Sequence, residues 1–212
     1  MRKMLILDFD GVVVDTEPVN YAAWQMMFER EMGLRHEGTH HVLVGLTLDE
    51  IFRLWLPELP DRETMERLLA IKNQHYFTMA AERITPMDGI ADLLHRALDA
   101  GWYTAIASRS RRVRLLRTLE LLKLPAIFDA VLGAEEILNP ATDRKEHARA
   151  ARMFGIDPAH CIVIEDSTQG IRDALDGGIG TVIGFASSLA PELLKEAGAH
   201  QVVSSLDDVS LS

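Results

Sequence analysis

The chain has 212 residues, with 32 acidic and 22 basic side chains for a net charge of −10, and a single cysteine, Cys161. With acidic residues in excess, counterion-release binding to nucleic acid and an anionic membrane surface are both disfavoured; one cysteine excludes an internal disulfide framework and a cysteine-based zinc cluster. The apolar stretch after Met1-Arg2-Lys3 stops at Asp8, too short for a signal peptide, and no apolar run approaches a bilayer span. The expectation is a cytoplasmic enzyme or binding protein of one domain, or one domain with a modest insertion.

Met4-Leu5-Ile6-Leu7 opens the chain as an apolar run without alternation, the pattern of a strand covered on both faces. A strand-poor stretch follows. Thr16 is placed to cap a helix carrying Trp24, Met27 and Phe28, with Pro18 tolerated in its first turn. Thr47 and Glu50 have capping-box spacing ahead of Ile51, Phe52 and Leu54, and Asp61 opens a third helix carrying Met65, Leu68 and Leu69. These helices predict an inserted helical cap at residues 16–83. The chain returns through the turn-rich Thr85-Pro86-Met87-Asp88-Gly89 to a helix with Leu93, Leu94 and Leu98 that stops near Gly101.

Four further apolar runs follow: Tyr103–Ala107, Ala130–Leu132, Cys161–Ile164 and Thr181–Ile183, with Gln201–Val203 as a sixth candidate strand. Strands alternating with helices predict an α/β fold, a doubly wound parallel (Rossmann-like) sheet core made of residues 1–15 and 84–212.

In open α/β sheets, ligands bind outside the carboxyl ends of the strands. The first strand ends in Asp8-Phe9-Asp10-Gly11, where Gly11 permits a sharp turn just past two carboxylates that repel each other unless a cation or a shared proton compensates. The fourth strand ends in Glu165-Asp166-Ser167, and a parallel sheet brings both acidic ends to one edge. Oxygen ligands of this kind suit Mg²⁺. Ser108-Arg109-Ser110 closes the second strand, where hydroxyl and backbone N–H groups can hold phosphate oxygens, and Lys145 after the third strand can balance phosphate and carboxylate charge.

These stretches resemble the haloacid dehalogenase superfamily, in its phosphoglycolate phosphatase and β-phosphoglucomutase branch with a helical cap. Asp8–Asp15 matches DxDGxxxD, and Glu165–Ile171 matches EDSxxGI. The resemblance implies a phosphomonoester hydrolase acting on a small phosphorylated metabolite. It implies that Asp8 attacks phosphorus and becomes an aspartyl phosphate, and that Asp10 serves as general acid and then base. It further implies that Ser108, Gly11, Arg109 and Lys145 meet the phosphoryl group or substrate. Mg²⁺ is implied at Asp8, the Asp10 backbone carbonyl and Asp166, with Glu165 beside it.

The chain departs from the family where a lysine is expected: Asn139-Pro140-Ala141-Thr142-Asp143 stands there, and Lys145, or its neighbour Arg144, takes that role instead. Asn20 and Leu48 stand where mutases carry His and Arg, which weighs against a phosphosugar mutase; Asp10 weighs against a dehalogenase. A mutase, and a non-catalytic phosphate-binding protein, remain the alternatives. Ser108 can alternatively cap the next helix, Arg109 can face water, and Asp15 is read as a turn brace. The run Arg109, Arg111, Arg112, Arg114 and Arg117 reads as a solvated helix face, and Trp24, Met26, Met27 and Phe28 as cap core. His36, His40 and His41 read as a surface cluster, and Cys161 as an inert buried thiol. Oligomeric state is not legible.

Overall fold

The computed structural model describes residues 2–44, 46–124, 128–137 and 146–211. The chain divides into two compact units, Met1–Val14 with Pro86–Ser212, and Asp15–Thr85.

The first unit is built on a six-stranded parallel sheet: β1 (Met4–Leu7), β2 (Tyr103–Ala107), β3 (Ala130–Leu132), β4 (Cys161–Glu165), β5 (Thr181–Phe185) and β6 (Gln201–Val203), in the order β3-β2-β1-β4-β5-β6. The sixth run, Gln201–Val203, is therefore an edge strand, paired to β5 alone. All residues of β1 and β4 are buried, as a strand covered on both faces requires. β5 runs two residues beyond Thr181–Ile183 because Gly184 and Phe185 keep pairing with Val202 and Val203.

Helices α4 (Ile90–Asp99), α5 (Arg112–Leu121), α6 (Ala134–Ile137), α7 (Glu146–Met153), α8 (Thr168–Asp176) and α9 (Pro191–Glu196) connect the strands. One packed cluster joins Met4, Ile6, Ala105, Val163 and Val182 of the sheet to Ala150 and Ala151 of α7 and Ile171 of α8. Cys161 belongs to this cluster, and burial pushes its thiol up to about 11.

The second unit holds α1 (Glu17–Met32), α2 (Leu48–Trp55) and α3 (Arg62–Arg83). Its core is aromatic: Trp24, Met27, Phe28, Phe52, Trp55 and Leu68 are buried together, with the Phe28 and Trp55 rings stacked at 4.7 Å. Met26 is only half-buried. Thr47 and Glu50 form a capping box on α2, and the Asp61 carboxylate accepts the Thr64 N–H at 2.8 Å at the start of α3. Thr16 occupies the N-cap position of α1, and its carbonyl accepts the Asn20 N–H, but with a helical backbone its side chain makes no cap hydrogen bond. The unit begins and ends beyond the helices themselves because Asp15 N–H donates to the Thr85 carbonyl at 3.0 Å, tying its first residue to its last. No helix among the described residues is long and apolar enough to cross a membrane.

Candidate active site

Parallel register brings the acidic strand ends together. Leu7 is level with Ile106 of β2 and Ile164 of β4, so Asp8, Ser108 and Glu165-Asp166 emerge at one edge of the sheet. Strand order reverses direction between β1 and β4, and such switch points open a crevice for ligands. Asp8 N–H donates to the Ile164 carbonyl at 3.1 Å, which fixes the turn out of β1.

Asp8, Glu165 and Asp166 each offer a carboxylate oxygen, and these oxygens lie within 4.8 Å of one another. Burial, and then repulsion from Glu165, Asp166 and Asp10, holds the Asp8 carboxyl well above the usual range, against a lowering hydrogen bond from the Phe9 backbone. Gly11 closes the group. Its φ is +77°, and a Cβ there would stand 2.1 Å from Asp166 Oδ2, so the position needs glycine on two counts. Ser187 Oγ, beyond β5, donates to the Gly11 carbonyl at 2.6 Å. An oxygen-only, mutually repelling set, with Glu165 and Asp166 buried and Asp8 half-buried, fits a hard divalent cation, which would relieve the repulsion among them.

The Asp10 side chain is engaged elsewhere. Its Oδ2 accepts the Ser110 hydroxyl at 2.8 Å and is paired with the Arg114 guanidinium, which also reaches Ser110 Oγ. Arg114 is buried, with its guanidinium carbon 6.0 Å from the centre of the Phe9 ring. The reading of all five arginines as a solvated face is thus corrected. Arg111 and Arg112 are exposed and paired with Glu135 and Glu136, whereas Arg114 shares the inner stripe of α5 with Leu115, Thr118 and Leu119. The helical spacing of Arg114 with Leu115, Thr118 and Leu119 is the one local signal that sets it apart from its neighbours.

Ser108 is buried, and its Oγ accepts the Ser110 N–H at 3.3 Å; Arg111, not Ser108, occupies the N-cap of α5. Arg109 does not simply face water: it pairs with Glu146 at 3.4 Å and with Asp173. Lys145, with Asn139–Asp143 and Arg144, lies outside the described residues. Asp15 is exposed.

Sequence reasoning missed two groups. One is the buried His147, whose Nε2 lies 3.1 Å from Glu165 Oε1. Burial works to strip its proton, but the close approach and charge of Glu165, with the charge of Glu146, outweigh it and raise its pKa above the usual histidine value; the contact with Glu165 is an ion pair, for neither ring nitrogen is aligned for a hydrogen bond. The other is in the helical unit, where Lys72 is buried, donates to Asn20 Oδ1 and lies 5.2 Å from the rings of Trp24 and Tyr76. In that unit His36 is tied to Tyr21 and Gln25, and the His40 and His41 rings lie 4.1 Å apart.

Residues 5–183 match the haloacid dehalogenase-like hydrolase family. A phosphorylated carbohydrates phosphatase of Thermotoga maritima is 24% identical over 200 residues, covering 94% of this chain and 93% of the relative. A β-phosphoglucomutase of Bacillus subtilis is 26% identical over 191 residues, covering 85% of this chain and 82% of the relative. Among solved structures, a family IA hydrolase of Entamoeba histolytica superposes with a TM-score of 0.87 at 24% identity, covering 100% of this chain and 96% of that one. The match spans both acidic strand ends and the register of β1 and β4 that aligns them: the chain belongs to the haloacid dehalogenase-like hydrolase family and is a phosphomonoester hydrolase.

Proposed function

We propose that the enzyme is a cytoplasmic, Mg²⁺-dependent phosphatase of small phosphorylated carbohydrates that works through an aspartyl phosphate on Asp8. The observation that carries this reading is the convergence of Asp8, Glu165 and Asp166 on one point, beside a glycine whose missing Cβ leaves Asp166 room. The substrate class is supported by the Thermotoga maritima relative named for phosphorylated carbohydrates.

In this reading Asp8, Asp166 and the Asp10 carbonyl hold the cation, with Glu165 beside them. Bound there, Mg²⁺ supplies charge neutralisation that lets an anionic nucleophile meet an anionic phosphate. Asp8 attacks phosphorus, and the leaving oxygen takes a proton from the Asp10 carboxyl. The Asp10 carboxylate then removes a proton from the water that cleaves the acyl phosphate. Ser108 and the turn at Gly11 hold phosphoryl oxygens, Lys145 balances their charge, and Arg109 stands beside the substrate. The inserted helical unit acts as a cap that selects the substrate.

The mutase reading is weaker because the position where mutases carry His is Asn20, whose carbonyl oxygen is held by Lys72. The test is phosphate release from a panel of sugar and sugar-alcohol phosphates without any bisphosphate primer. Turnover is expected to stop reversibly with EDTA, and Asp8→Asn to lower it by roughly 10⁴-fold or more. Full turnover by Asp8→Asn removes the nucleophile assignment, and product that appears only with a primer transfers the enzyme to the mutases.

A further inference from the structure

Next to the carboxylate cluster lies a second layer of buried charge, and in it the proposed reaction gives His147 no part. One carboxylate, Glu165, is held from three directions. Its Oε1 faces His147 Nε2 at 3.1 Å, from α7. Its Oε2 accepts the Ser167 hydroxyl at 3.0 Å, and the same Ser167 caps α8 by accepting the Gly170 N–H at 3.0 Å. The third side is the bare Cα of Gly170, where a Cβ would come within 2.1 Å of the Glu165 carboxyl carbon. Beyond His147, Glu146 pairs with Arg109, and Arg109 with Asp173, so the imidazole is itself packed against a buried network.

A carboxylate next to a metal site has rotamers that point toward the ion and others that point away. Outer partners that fix the choice set metal affinity almost as strongly as the ligands do. We infer that His147 is a positioning residue: it holds Glu165 with an oxygen turned toward Asp8 and Asp166. This rests on reading Asp8, Glu165 and Asp166 as the cation site.

His147 does not act as a ligand itself. Ligand atoms of Glu146, His147 and Glu165 also lie within 4.8 Å of one another, but a cation among them would stand against the Arg109 guanidinium, 3.4 Å from Glu146. Like charges at that range repel strongly, and the group already contains its own cationic partner.

The experiment is titration of the metal-free protein with Mn²⁺, read by electron paramagnetic resonance, with Mg²⁺ as competitor. The wild type is expected to bind Mn²⁺. His147→Phe removes the contact and is expected to weaken binding about 10–100-fold. His147→Gln keeps an N–H donor and is expected to recover most of that loss, which a merely structural role for the imidazole would not produce. Gly170→Ala pushes directly on the Glu165 carboxyl group and so checks that the placement of this carboxylate matters to the ion. It is expected to weaken Mn²⁺ by a similar factor. Unchanged affinity in His147→Phe overturns the inference whatever Gly170→Ala does, with His147→Ala in its place should the Phe variant not fold, and so does direct ¹⁴N coupling between Mn²⁺ and His147. A wild type that binds no Mn²⁺ overturns the cation site itself, an outcome distinct from the other two.

Discussion

In the helical unit, Asp15–Thr85, the interior is a stack of rings: Trp24, Phe28, Phe52 and Trp55. Its buried Lys72 rests against Trp24 and Tyr76 and donates to a neutral amide. In the sheet unit the strands are equally apolar, yet their carboxyl edge gathers Asp8, Glu165, Asp166, His147, Arg109 and Glu146. The helical unit sets ring faces and an amide around a buried cation. The sheet unit tolerates carboxylates that repel one another. A parallel sheet covered on both faces buries enough Val, Ile and Leu to absorb that cost, and the repulsion is what gives a cation its advantage there.

The contrast can be broken most forcefully in the rings. Phe28→Ala is expected to cost about 3–5 kcal/mol and to lower the melting of the helical unit while the sheet unit persists. Thermal denaturation followed separately by far-UV and near-UV circular dichroism checks this, and one coincident transition would show that the units share a single stability.

The opposite sign is expected at the sheet edge. The Asp8 carboxyl is raised in the folded metal-free protein, so its ionisation opposes folding. A raised carboxyl is protonated in both states below the unfolded value, and its cost appears as pH rises from there to the folded value and then stays constant. Asp8→Asn, which mimics the protonated form, is therefore expected to match the wild-type melting temperature in acid. At neutral pH it should exceed it by several degrees, as long as no metal is present. Melting curves of the metal-free proteins across pH read this directly; an Asp8→Asn protein less stable at pH 7 contradicts the sign.

The smallest effect sharpens the helical side of the comparison. Thr47→Ala removes the capping box of α2 and is expected to cost about 1 kcal/mol, a loss of roughly 2–4 °C in melting temperature for a chain of this size.

Much of this is legible in the sequence. Unbroken apolar runs at Met4–Leu7 and Cys161–Ile164 mark buried parallel strands, because a strand covered on both faces has no solvent side to alternate toward. The capping pairs Thr47–Glu50 and Asp61–Thr64 are legible because capping is local, depending on side chains three residues apart. Thr16 is legible in position only: α1 starts there, but its helical backbone leaves the side chain without a cap hydrogen bond. The acidic ends at Asp8 and Glu165-Asp166 are each legible as strand termini.

Their meeting is not local. Asp8 and Asp166 are brought together because Leu7 and Ile164 share a register across β1 and β4, and nothing within either segment encodes that pairing. Arg114 reads as one more surface arginine until the inner stripe of α5 places it on Asp10. His147 carries no motif at all; only the packing of α7 sets it against Glu165. Composition, periodicity and short-range spacing thus determined the elements and the acidic candidates, since those depend on neighbours along the chain. The tertiary structure alone decided which charges face one another, because Coulomb and hydrogen-bond partners are chosen by distance in space and not by separation in sequence.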